Sequence, residues 1–400
     1  MRAMDCARIH RRPVASAVAA ALLVAVPLTV AGAAPAAAES VGLPVVRSAL
    51  GPDEPCVEAS AKKAEAESWT SGALGLERAR TLSRGAGTTV AVVDTGVGQD
   101  AAGLSGRVTA LGGAGQDCVG HGTFAAGLIA ATRTGGKGLA GVAPQARILA
   151  VQGTDQRGQA TADQLAGGIR EAADAGASVI YVGQALATGK SVLTAAVEYA
   201  SEKDALVVAP LAPDALPKDR ATGDTVKPEP WYWPAAAPGV LAVTDYGPDG
   251  GRPDNAPVVP GADLAAPGDA VVSVGPEGSG HFIGSGASLA AANVAGAAAL
   301  VRTRHPDMSA AEVSRQLTVA AYPAAPPRLD PYAALTAVLT ERQGDRPRPA
   351  AAVVPPAFSA VPRERALVIA GVGGGIVLLV AAAAVVIPRG RARGWRPAGR

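Results

Sequence analysis

Thr88-Thr89-Val90-Ala91-Val92-Val93 runs into Asp94-Thr95-Gly96, an uncharged β-branched stretch halted by an acidic residue at a turn. A continuous run of this length, with no polar residue at every second position, predicts a strand buried on both faces. Comparable runs recur at Arg147–Val151, Ser178–Val182, Ala205–Ala209, Val240–Thr244 and Ala270–Val274. Longer Ala-rich stretches with helical spacing lie at Phe124–Ala131, Ala162–Ala175, Val192–Ser201, Leu289–Thr303, Ala310–Val319 and Pro331–Leu339. Strand and helix in alternation predict an α/β domain, a parallel sheet with helices on both faces. Active groups in such sheets gather at the carboxyl ends of the strands, where Asp94 falls.

Composition agrees. Hydrophobic residues make up 48% of the 400 residues but aromatics only 3%, so small aliphatic side chains must build the core. Lys+Arg 36 against Asp+Glu 34 leaves a net charge of +2, which gives no field to draw a nucleic acid.

The two ends carry address signals. Arg2, Arg8, Arg11 and Arg12 precede the uncharged stretch Pro13–Ala38, which closes on Ala36-Ala37-Ala38 before Glu39. Residues 1–38 therefore read as an export signal. Near the other end, residues 366–387 carry no charge over a length that matches a bilayer core, and Arg389, Arg391, Arg393, Arg396 and Arg400 follow. The pattern predicts a single-pass transmembrane helix, a cytoplasmic tail over 388–400 and an extracellular body. Residues 341–365, with Pro347, Pro349, Pro355, Pro356 and Pro362, read as a stiff tether. That leaves 39–84 as an N-terminal extension and 85–340 as the folded domain. Cys6 lies in the signal, so Cys56 and Cys118 remain to form one disulfide in an oxidising exterior, joining extension to domain.

Asp94 stands where a buried carboxylate can orient an imidazole, although Asp before Gly is also an ordinary turn. Gly120-His121-Gly122-Thr123 leads into an apolar helix, and His121 is the candidate base. Gly286-Ala287-Ser288 opens the helix that follows a Gly-rich segment. A serine there is either an N-cap or a nucleophile with backbone N–H groups beside it at the positive end of the helix dipole. The order Asp, His, Ser is that of subtilisin, and differs from those of chymotrypsin and the α/β-hydrolases.

On these residues the chain resembles the subtilisin-like serine proteases, and within them the mycosins, membrane-anchored proteases of actinobacterial type VII secretion systems. Cys118-Val119-Gly120-His121-Gly122-Thr123, Gly141-Val142-Ala143-Pro144, Ala265-Ala266-Pro267-Gly268 and Asn293-Val294-Ala295-Gly296 are similar to family blocks in family order. The resemblance spans roughly Val45 to Leu339. It implies that Ser288 attacks a peptide carbonyl, His121 moves the proton and Asp94 orients His121. It also implies exported polypeptide substrates, a membrane setting and a type VII secretion membrane complex as partner. No cofactor is expected, and no HExxH motif or zinc-spaced Cys/His cluster calls for a metal.

Departures from the family pattern fall around the serine. The family's oxyanion Asn is expected after the strand Ala205–Ala209, where Pro213 stands; proline has neither a side-chain donor nor a backbone N–H. Ala287 replaces a usual Thr donor and Ala292 a usual Pro. The substrate-lining block reads Gly183-Gln184-Ala185 in place of Ser-Leu-Gly, with Gln184 as a candidate substitute donor. Two expectations follow: an attenuated extracellular serine endopeptidase, or a pseudoprotease that serves as a structural part of a secretion membrane complex.

Overall fold

The computed structural model describes residues 42–64, 67–133, 139–218, 222–254, 256–339 and 361–394. The export signal and residues 341–360 of the tether lie outside the described residues. Strands β1 (Thr89–Asp94), β2 (Val108–Ala110), β3 (Arg147–Gln152), β4 (Val179–Val182), β5 (Leu206–Pro210), β6 (Leu241–Tyr246) and β7 (Leu264–Pro267) form one sheet. Their order is β2-β3-β1-β4-β5-β6-β7 and every neighbouring pair is parallel.

Alternate residues of the central strands enter two separate cores. Val90, Val92, Val179, Tyr181, Leu206 and Val208 face one side. Ala91, Val93, Ile180, Val182, Val207 and Ala209 face the other. On the first side lie α3 (His121–Ala130) and α6 (Ala287–Arg304); on the second, α4 (Ala162–Asp174) and α5 (Lys190–Glu202). Helix α6 is buried from Ala287 through Arg302, so it needs no polar face, and its alanines allow it to pack closely on several strands. Helices α1 (Trp69–Ala73) and α2 (Leu76–Leu82) belong to the segment read as an extension, yet Leu76 and Ala79 lie in the first core. Two further helices, α7 (Ala310–Val319) and α8 (Pro331–Thr336), follow α6.

The stretch Ala270–Val274 is a strand but not one of the parallel sheet. As β8 (Val271–Val274) it pairs antiparallel with β9 (His281–Gly284) in a separate hairpin. Only Gly268-Asp269-Ala270 separates it from β7, far short of the crossover that a parallel pairing requires. Strands β2 and β7 escape the sequence reading, β2 because it is three residues long and β7 because Leu264-Ala265-Ala266-Pro267 has no β-branched residue.

Residues 42–64 form an extended strap on the hairpin. Val46 N–H donates to Ile283 O at 2.8 Å, Ile283 N–H to Pro44 O at 2.9 Å, and His281 N–H to Lys62 O at 2.8 Å. The strap is also closed by the Cys56–Cys118 disulfide.

Residues 338–400 form a separate unit. Its described part is α9 (Val361–Ala392), in which Ile369–Ala392 is long and apolar enough to span a bilayer, with a mean hydropathy of 2.5. The helix takes in Val361–Arg365, read from sequence as tether, because Pro362 fits a first helical turn without breaking it.

Candidate active site

The sheet reverses its winding between β1 and β4, the crevice where open α/β sheets receive ligands. Asp94 ends β1 and is fully buried. Its Oδ1 accepts the Thr95 N–H at 2.7 Å, and its Oδ2 lies 2.8 Å from His121 Nδ1. Gly183, just beyond β4, packs directly on this carboxylate, and any side chain there would overlap it.

His121 opens α3 because the turn before it is fixed by Asp117, a buried residue that sequence reasoning passed over. Asp117 Oδ1 accepts Gly120 N–H at 2.7 Å and the Thr95 hydroxyl at 2.8 Å. Its Oδ2 accepts Thr123 N–H at 2.8 Å and the Thr123 hydroxyl at 2.7 Å. The Thr95 hydroxyl in turn accepts Gly122 N–H at 2.9 Å. One carboxylate thus ties the Asp-Thr-Gly turn to the His-Gly-Thr turn and satisfies the free N–H groups of the helix start. Burial pushes its pKa up, against the pull of these four hydrogen bonds.

Helix α6 brings in Ser288, whose Oγ lies 3.1 Å from His121 Nε2. All three side chains predicted from the Asp, His, Ser order therefore meet, and Asp94, His121 and Ser288 are each no more than 1% exposed. Tyr181 of β4 joins them by donating its hydroxyl to Asp94 Oδ2 at 3.3 Å. Burial first, and then the Asp94 and Asp214 charges, raise this phenol well above its ordinary value, so it stays a donor.

The loop after β5 adds a residue that the sequence reading did not single out. The residue after Pro213, Asp214, is the one that bonds to the serine. Asp214 Oδ1 accepts the Ser288 N–H at 2.9 Å and Oδ2 accepts the Ser288 hydroxyl at 2.6 Å. Oδ2 also lies 3.4 Å from His121 Nε2. Gly286 makes room for this carboxyl, which a Cβ at that position would strike. An acidic residue one place past the expected Asn was the only sequence signal for it.

Electrostatics at His121 follow from these contacts. Burial alone would push the imidazole down, but the Asp94 charge, hydrogen bonds to Asp214 and Asp94, and the Asp214 charge outweigh it and hold His121 well above its ordinary value. A cavity of about 410 Å³ opens beside Asp214, lined also by His121, Gly286 and Asp245, with strap residues Val46 to Ala49 along one wall. Gln184 and Ala185 are not among its lining residues, and Gln184 Nε2 is buried without a hydrogen-bond partner among the described residues. Among the described residues no cluster of His, Cys, Asp and Glu has the makings of a metal site.

The subtilase family (peptidase S8) profile matches residues 85–346. Mycosin-3 of Mycobacterium tuberculosis (strain ATCC 25618 / H37Rv) is 34% identical over 356 residues, covering 72% of this chain and 76% of that protein. The solved structure of the MycP3 protease from the type VII (ESX-3) secretion system is 31% identical and covers 74% of this chain and 97% of its own, with a TM-score of 0.58. A chain of the periplasmic assembly from the ESX-5 inner membrane complex is 25% identical, with a TM-score of 0.62 over 77% of this chain and 97% of its own. The chain belongs to the subtilase family, as a mycosin-type subtilisin-like serine protease.

Proposed function

We propose that the protein is a membrane-anchored extracellular serine endopeptidase that cleaves exported polypeptides at a type VII secretion complex, with its activity held low in the resting state. The observation that carries this reading is His121 set between Asp94 and Ser288, at 2.8 Å and 3.1 Å, in a buried site. In this role Ser288 Oγ attacks the peptide carbonyl and His121 Nε2 takes its proton and returns it to the leaving amine. Asp94 holds the imidazole by Nδ1 and stabilises its charged form. Residues 85–340 form the peptidase domain, with residues 366–387 of α9 as the single-pass anchor and residues 388–400 in the cytoplasm. The apolar length of Ile369–Ala392 and its arginine flank support that orientation. Gly183–Ala185, at the end of β4, are the substrate-lining segment; Gly183 lies against Asp94 in support.

The reading is tested with a fluorophosphonate probe on full-length protein in detergent. Labelling that disappears in Ser288→Ala supports it. Labelling that persists in that variant removes Ser288 as nucleophile.

The Asp214 carboxylate against Ser288 favours a second reading, in which the domain is a pseudoprotease with a structural part in a secretion membrane complex. The likeness to a chain of the ESX-5 assembly supports it. Absence of labelling and of hydrolysis at every pH, in the wild type and in a variant freed of the Asp214 charge, decides for it.

A further inference from the structure

The Ser288 N–H, at the start of α6, is where a tetrahedral oxyanion would be received. In this protein the carboxyl of Asp214 already lies there, and its two oxygens take both the N–H and the hydroxyl of Ser288. An ionised carboxylate at that point is an obstacle on three counts. It occupies the N–H, it repels a developing negative charge, and it draws the proton onto His121 that must be absent for His121 to act as base. A protonated carboxyl in the same place reverses all three, because its O–H is a donor.

We propose that Asp214 is the side-chain donor to the oxyanion, acting from its protonated form, so that hydrolysis requires one proton shared between His121 and Asp214. The inference rests on the protease reading above and goes beyond it. In the active form the proton lies on Asp214 and His121 is neutral. Ser288 Oγ then bonds to the carbonyl carbon as its proton passes to His121 Nε2. The carbonyl π pair moves to oxygen, which displaces Asp214 Oδ1 from the Ser288 N–H and accepts from that N–H and from the Asp214 O–H. Collapse restores the carbonyl, breaks the C–N bond and sends the His121 proton to the amine. Water repeats the sequence on the acyl-enzyme and frees Ser288.

The groups around the pair set its charge balance. Asp94 from β1 favours the imidazolium, and the Tyr181 phenol from β4 donates to Asp94. Asp245 from β6 lines the same cavity but is paired with Arg252 at 3.2 Å, and Arg47 of the strap is paired with Glu54 at 2.9 Å. Asp214 Oδ2 lies 3.4 Å from His121 Nε2, close enough for one proton to serve both groups in this proposal. With one proton on the pair, a fixed fraction carries it on Asp214 and is active. With none, the oxyanion site is charged; with two, the base is lost. The dependence of kcat/KM on pH is therefore a bell whose alkaline limb is loss of the shared proton, whereas an ordinary triad rises through imidazole deprotonation to an alkaline plateau.

The test is kcat/KM against pH for full-length wild type and Asp214→Asn in detergent, on a quenched-fluorescent peptide library, with fluorophosphonate labelling rates alongside. Asp214→Asn keeps the shape, removes the charge and supplies an amide donor. The expected result is a bell for the wild type, a rise to an alkaline plateau for Asp214→Asn, and a rate for the variant at neutral pH about 100-fold above wild type. A wild-type profile that itself rises to an alkaline plateau overturns the proposal without help from any variant. An active Asp214→Asn beside a wild type inert at all pH makes Asp214 a plug and not a donor, which overturns the proposal and leaves the protease reading standing. Two inert, folded proteins overturn both.

Discussion

Asp214 and Ser288 are joined at two points, Oδ1 to the serine N–H at 2.9 Å and Oδ2 to the serine hydroxyl at 2.6 Å. The contact is complementary to the resting enzyme. A catalyst gains rate only from groups that bind the transition state better than the ground state, so under the proposed protease reading a carboxylate satisfied in this way holds activity down until its charge is removed.

Tyr181→Phe removes the phenol that bonds to Asp94 at 3.3 Å and also interacts with Ser288. Bonds to a charged group contribute about 1.5 kcal/mol at the weaker end, so kcat should fall about tenfold with KM unchanged. The measurement belongs in the Asp214→Asn background, where turnover is easiest to follow. An unchanged kcat there would show that the phenol supports neither Asp94 nor Ser288 in turnover.

Asp94, His121 and Ser288 are legible in the sequence because each stands at the end of a strand or the start of a helix, positions that the alternation of apolar runs reveals. Asp214 is not legible in that way. Its contact with Ser288 depends on how far the loop after β5 turns before it meets Gly286, which residue types along the loop do not reveal. Asp117 is hidden for a related reason, since its four donors come from Thr95, Gly120 and Thr123, and only the folded turn brings them to one carboxylate. The parallel sheet is readable from its doubly buried strands. The β8–β9 hairpin is not, because β-branched composition says nothing of a strand's partner.

Asp117→Ala should be among the most destabilising polar substitutions in the domain. It leaves two backbone N–H groups and two hydroxyls of Thr95, Gly120 and Thr123 without their acceptor. Buried donors left unpaired cost about 1–3 kcal/mol each, so a loss of at least about 3 kcal/mol is expected in urea unfolding. Asp117→Asn, which keeps one acceptor oxygen, should lose less. A loss of under about 0.5 kcal/mol for the alanine variant, typical of a surface site, would contradict the network.

The Cys56–Cys118 disulfide closes a loop with a sequence separation of 62. Chain entropy assigns such a loop about 4 kcal/mol, so the double Cys→Ser variant should melt roughly 8–16 °C lower in a domain of this size. The Val57 N–H to Cys118 O bond at 2.8 Å would loosen with it. Melting within about 2 °C of wild type would show that the strap is held by its hydrogen bonds to the hairpin alone.

His121 and His281 should titrate on opposite sides of an ordinary imidazole. Burial, and then the Lys63 charge, push His281 down. At His121 burial acts in the same direction, but Asp94 and Asp214 overcome it and the group is raised. A group raised by folding stabilises the protein below its unfolded pKa and ceases to do so as pH climbs through its folded one. Unfolding in urea should therefore show a decline of stability on the alkaline side of the ordinary imidazole range, between those two values. Asp214→Asn removes one of the two carboxylates and should lower the His121 value and narrow that window. Asp94 remains, so the window should not close. Imidazole NMR of the folded protein, with His121→Gln to assign the signal, measures the shift directly. A His121 signal that titrates at or below that of His281, or one that does not move in Asp214→Asn, would show that the Asp214 carboxylate does not help Asp94 to hold the proton on His121.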